Sequence, residues 1–86
     1  MKFDCIVIRR STVPFIHPVD SDTSPFTIVD DEKMTHEQFT IQKFETDEPS
    51  SGRPALYLVA NKLKWSREKV IQEILRLNPR PFKYFD

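Results

Sequence analysis

The chain has 86 residues, 13 basic and 13 acidic side chains, 38% apolar and 30% charged residues, which fits one ordinary globular domain and excludes an intrinsically disordered one. A single cysteine excludes an internal disulfide, and a single glycine excludes the glycine-rich loops that cradle dinucleotides and nucleoside triphosphates. The balanced charge hides an asymmetry: residues 1–52 carry five basic and ten acidic side chains, residues 53–86 eight and three.

Lys2–Arg9 reads as a strand, with Phe3, Cys5 and Val7 on one face and Ile6 and Ile8 on the other, so that both faces are covered. Within it Cys5 is a small buried hydrophobe rather than a reactive thiol. The apolar run is far too short for a signal peptide and meets Arg9-Arg10 at once, and no segment approaches the ~18 apolar residues that span a bilayer. The expectation is a soluble cytoplasmic protein, with no contact with membranes.

Pro14, Pro18 and Pro25 restrict residues 12–30 to short edge strands, around Val13–Ile16 and Phe26–Val29, followed by a turn at Asp30-Asp31-Glu32. Residues 35–45 fit two patterns. Thr35 with Gln38 forms a capping box, whereas Phe39 and Ile41 alternate with Thr40 and Gln42 as in a strand, and the strand is favoured. Thr46–Arg53, with Pro49, Ser50, Ser51 and Gly52, is the clearest loop.

From Pro54 to Pro79 the pattern predicts two helices. Pro54 suits a first turn, and Ala55, Leu56, Leu58, Val59, Ala60 and Leu63 make a first helix apolar around most of its circumference. After a break at Lys64-Trp65-Ser66, Ser66 is an N-cap for the second, with Trp65 and Val70 spaced as a hydrophobic staple. Val70, Ile74 and Leu77 form its stripe, Ile71 and Leu75 widen it, and Pro79 ends it. The predicted fold is therefore α+β: one domain, with a small antiparallel sheet in the acidic residues 1–48, a loop at 49–53, a basic helical hairpin at 54–78 that packs on the sheet, and an aromatic-basic tail at 79–86.

Chemistry-bearing patterns are sparse. Cys5, His17 and His36 have no paired spacing for a metal, and no nucleophile stands beside a base, so neither an enzyme nor a metal or small-molecule cofactor is expected. Asp20-Ser21-Asp22-Thr23-Ser24 imitates the start of a calcium loop, but Pro25 stands where the loop needs glycine.

Residues 56–75 resemble a helix-turn-helix unit through Ala60, Leu63, Trp65 and Val70. The resemblance implies Arg67 and Glu68 as base readers, with Lys62, Lys64, Lys69 and Arg76 near phosphates. Two positions depart from it: Lys64 replaces the turn glycine, and Glu73 replaces an apolar residue. The favoured expectation is a non-enzymatic protein-binding module, such as a regulator, inhibitor or assembly subunit, whose partner is another protein or a second copy of itself. Its surface would comprise Lys64, Arg67, Ile71, Leu75, Arg80, Phe82, Lys83 and Tyr84, because the widened helix stripe and the tail aromatics are costly to leave in water. The tail has a second reading, in which Phe82 and Phe85 fold back to close the core.

Overall fold

A computed structural model describes residues 2–85. In chain order the elements are β1 (Phe3–Ile8), β2 (Phe15–Val19), β3 (Phe26–Asp30), β4 (Thr35–Phe39), β5 (Gln42–Asp47), β6 (Pro54–Asn61), α1 (Arg67–Leu77) and β7 (Lys83–Tyr84). The main sheet runs β2-β1-β6-β5, with β7 continuing beside the first residues of β6, and β3–β4 form a separate hairpin. All neighbours are antiparallel except β1 and β6, which are parallel, with Cys5 opposite Leu58 and Ile8 opposite Asn61.

The predicted helical hairpin is absent: residues 54–61 are a strand, and the chain is mostly sheet with a single short helix. The reason lies in Ala55–Ala60, six apolar residues in unbroken succession. A run this short cannot be told from a buried helix by periodicity alone, and a strand covered on both faces has the same composition. All six are at most 5% exposed, and they alternate between two cores. Leu58 and Ala60 join Cys5, Val7, Val19, Phe39 and Ile41, whereas Ala55, Tyr57 and Val59 join Ile6, Ile8, Val70 and Ile74. Pro54 opens the strand, where its missing N–H costs no ladder bond. The sheet is thus neither confined to the first half of the chain nor wholly antiparallel, and the helix-turn-helix resemblance loses its first helix.

Three layers result: the β3–β4 hairpin covers one face of the sheet and α1 the other. The hairpin meets the sheet through a ladder of rings, His17 on Phe26 and Phe26 on Phe39, each 5.3 Å between centroids. Glu37, on the inner side of the hairpin opposite Ile28, accepts from Arg9 at 3.2 Å and from Lys62 at 2.9 Å. These cations, Lys62 foremost, hold its carboxyl below the usual glutamate range. A depressed carboxyl stabilises the fold above its unfolded pKa, and the contribution disappears as pH falls through the folded value. Glu37→Gln should therefore cost about 1 kcal/mol near neutrality, and the wild-type and variant urea midpoints should converge as pH falls below the ordinary glutamate range.

The predicted second helix forms as expected. The Ser66 hydroxyl accepts from Lys69 N, Asn78 ends the helix in the left-handed region, and Val70 and Ile74 are buried. The link from β6 turns at Lys64, whose φ of 55° is one that glycine adopts more readily. The side chain of Asn61 clamps that link by accepting from Trp65 N–H (2.8 Å) and donating to the Trp65 carbonyl (3.0 Å). The strand reading of residues 35–45 holds as well, split at Thr40-Ile41 into β4 and β5. Among the described residues no helix is long and apolar enough to cross a membrane.

Candidate interaction surface

On the helix side of the sheet, aromatic rings and cations gather where the first turn of α1, strand β5 and the tail meet. Phe44 faces this side because it lies opposite Tyr57 in the β5–β6 register and packs in the core beneath α1. The Arg67 guanidinium lies 4.8 Å from the centre of the Phe44 ring and donates to the Glu45 carbonyl at 2.6 Å. Two residues on, and therefore on the other side of the helix, Lys69 lies 5.4 Å from the Trp65 ring. Beside Arg67 a groove of about 270 Å³ is lined by Glu45, Thr46, Asp47, Pro54, Ala55 and Phe85.

The tail closes the far side of the groove. Phe82 N–H donates to the Leu56 carbonyl at 2.7 Å and Phe85 N–H to that of Pro54 at 3.0 Å, so β7 extends the sheet where β1 has diverged from β6. Tyr84 lies opposite Ala55 and therefore shares its face. Its hydroxyl donates to Glu48 at 2.7 Å, and the Arg53 guanidinium lies 3.9 Å from its ring centre. Hydrogen bonds from Ser51 and then Tyr84 draw the Glu48 carboxyl below the usual range. Lys83 lies 5.5 Å from the Phe85 ring. Of these cation–ring pairs, Arg67 and Phe85 line the groove, Tyr84 and Arg53 adjoin it, and Trp65 with Lys69 lies at the other end of β6; Phe85 remains 49% exposed and Tyr84 36%.

Of the sequence-derived candidates, this surface unites Arg67, Lys83 and Tyr84, with the exposed Glu68 in the first turn of the helix, whereas Lys69 sits over Trp65 at the other end of β6. The others lie elsewhere. Lys62 and Lys64 sit at the opposite end of β6, in the link to α1, with Lys62 engaged by Glu37 and placed 4.9 Å from the centre of the Phe39 ring. Arg76 pins the end of α1 by donating to the Pro14 carbonyl at 2.6 Å. Ile71 is half-buried, and Leu75 is 58% exposed further along the helix. The backbone N–H of Arg80 donates to Asp4 at 2.9 Å. Phe82 packs edge-on against Phe3 at 4.9 Å, so it belongs to the core rather than to a docking surface. Sequence reasoning missed Phe44 and Arg53. Phe44 continues the period-two alternation of Phe39 and Ile41 only if Thr40-Ile41 is allowed to break it, and Arg53 lies in a loop without periodicity.

A second basic cluster lies at the carboxyl ends of β1 and β6. There Arg9, Arg10, Ser11, Thr12, Lys33 and Glu37 border a cavity of about 180 Å³. Its central charges, Arg9 and Glu37, are paired with each other. As for nucleophiles, Cys5 lies opposite His17 in the β1–β2 register, but burial pushes its thiol up to about 12, and the His17 ring stacks on Phe26 instead. Among the described residues no three His, Cys, Asp or Glu side chains converge on a point that could hold a metal ion. The chain matches no family model, no curated protein and no solved structure.

Proposed function

We propose that this chain is a non-enzymatic protein-binding module that docks an acidic partner surface on the groove between β5, the first turn of α1 and the tail. The observation that carries this reading is the meeting at one groove of Arg67, over the Phe44 ring, with the half-exposed Phe85, next to Tyr84 and its cation Arg53. Amphipathic rings and arginine are the side chains that most often anchor interfaces, because they bury large area at a small cost in conformational entropy. Exposed Arg53, Arg67 and Lys83 favour carboxylates across the interface. The same rings and cations could stack and neutralise a single-stranded nucleic acid. Glu48 and Glu68 beside the groove, and a net charge of zero over the whole chain, favour a protein partner instead.

The test is affinity capture on the immobilised chain with three baits: wild type, Arg67→Glu/Tyr84→Ala, and Leu75→Asp as a control on the distal helix face. The expected result is a partner held by wild type and the control and lost by the double variant. Identical capture by all three baits would exclude the groove. Salt-sensitive retardation of labelled single-stranded DNA or RNA by wild type but not by the double variant would replace the protein partner with a nucleic acid.

A further inference from the structure

The two edges of the main sheet are not equivalent. The β2 edge is five residues long and carries Pro18, which cannot donate to a further strand. The β5 edge is six residues long, pairs with β6 in unbroken register, and contains neither proline nor glycine. Its hydrogen-bonding phase follows from the neighbouring contacts. Glu48 N–H donates to the Arg53 carbonyl, and antiparallel alternation then turns the backbone groups of Thr46, Phe44 and Gln42 toward β6. Those of Lys43, Glu45 and Asp47 point outward, and the Arg67 guanidinium on the Glu45 carbonyl occupies one of them.

The side chains along this edge are complementary to their own reverse. On the hairpin side they run Lys43, Glu45, Asp47, a cation followed by two acids. Two copies of β5 brought together antiparallel about a two-fold axis have two registers that match their outward groups over nearly the whole strand. With the axis at Glu45, Lys43 meets Asp47 of the other copy, but the two Glu45 carboxylates face each other. With the axis at Phe44, Lys43 meets Glu45 twice, no like charges are opposed, and the two Phe44 rings meet at a non-hydrogen-bonded position, where cross-strand side chains lie closest. The second register is the better one on both counts. Asp22, 3.2 Å from Lys43, is its present partner, and the pair is exposed enough for the ammonium to bridge two carboxylates.

We propose that two copies of this chain join through β5, antiparallel and two-fold symmetric about Phe44, to form one continuous sheet β2-β1-β6-β5-β5-β6-β1-β2. Such an interface is isologous and closes on itself, which ends the exposure of an otherwise open strand. Lys43 N–H of one copy replaces the Arg67 guanidinium on the Glu45 carbonyl of the other. The β5 edge shares Glu45, Asp47, Phe44 and Arg67 with the docking groove, so the two interactions compete, but self-association and capture of a different partner are read by separate experiments and can fail separately.

Sedimentation equilibrium over a range of protein concentrations tests it, with circular dichroism checking the fold of each variant. Wild type is expected to dimerise, and Lys43→Glu and Glu45→Lys each to weaken self-association about tenfold or more by opposing like charges twice. The combined variant Lys43→Glu/Glu45→Lys should restore it, whereas Lys43→Glu/Asp47→Lys should not. A wild type that stays monomeric overturns the proposal. So does a dimer indifferent to these substitutions, or one rescued by the Asp47 combination, which would place the axis at Glu45.

Discussion

Leu58→Ala is expected to lower the unfolding free energy by about 3 kcal/mol, measured by urea denaturation, because it empties a site at the centre of the sheet. Leu58 is 1% exposed and packs among Cys5, Val7, Phe39 and Ala60. It lies opposite Cys5 on β1 and Lys43 on β5, so strands on both sides fix its backbone, and the cavity cannot easily collapse. For a domain whose total stability is about 5–10 kcal/mol, that is a large fraction. Single truncations at Leu56, Tyr57, Leu58 and Val59 should all be costly, since consecutive residues of this strand fill opposite cores. A helix would leave at least one of four consecutive positions tolerant. The same change at Leu75, 58% exposed, should cost under about 1 kcal/mol.

Ending the chain after Asn78 is expected to destabilise it by about 4 kcal/mol, read as a thermal midpoint lowered by well over about 10 °C. The truncation removes the buried Pro79 and the Phe82 ring that packs edge-on against Phe3. It also removes the hydrogen bonds from Phe82 to Leu56 and from Phe85 to Pro54, which leaves the start of β6 without a neighbour on that side. Lys83→Ala, on an exposed side chain, should change stability by less than about 0.5 kcal/mol. A truncated chain with unchanged melting would mean that the tail only rests on the sheet.

Much of the local structure was legible in the sequence because it is written in short-range signals. Lys2–Arg9 alternates between two apolar faces, Ser66 and Asn78-Pro79 bracket α1, and the loop before β6 collects proline, serine and glycine. The architecture was not legible, because it turns on a single ambiguous run. Ala55–Ala60 offers no polar residue to report a period, and Pro54 opens a strand as acceptably as a helix. Only the tertiary setting, with β1 on one side and β5 on the other, resolves it. The candidate surface was partly visible: Arg67, Lys83 and Tyr84 stand out by charge and aromaticity in the last third of the chain. Their companions Phe44 and Arg53 depend on β5–β6 pairing and on the loop that joins these strands, which no local pattern encodes. The tail divides between its two readings: Phe82 folds back on the core, as the core-closing reading expects, whereas Phe85 stays 49% exposed.

The parallel pairing of β1 with β6 also has a kinetic consequence. Cys5 finds Leu58 across more than fifty intervening residues, so the central contacts of the molecule are among its most distant in sequence. Closing a loop of that size must precede the reward for closing it, which makes folding slow for a domain of this length. During synthesis β1 and its hairpin neighbour β2 emerge well before β6 and α1, so Ile6 and Ile8 stay uncovered on the helix side until residues about fifty positions later have been made.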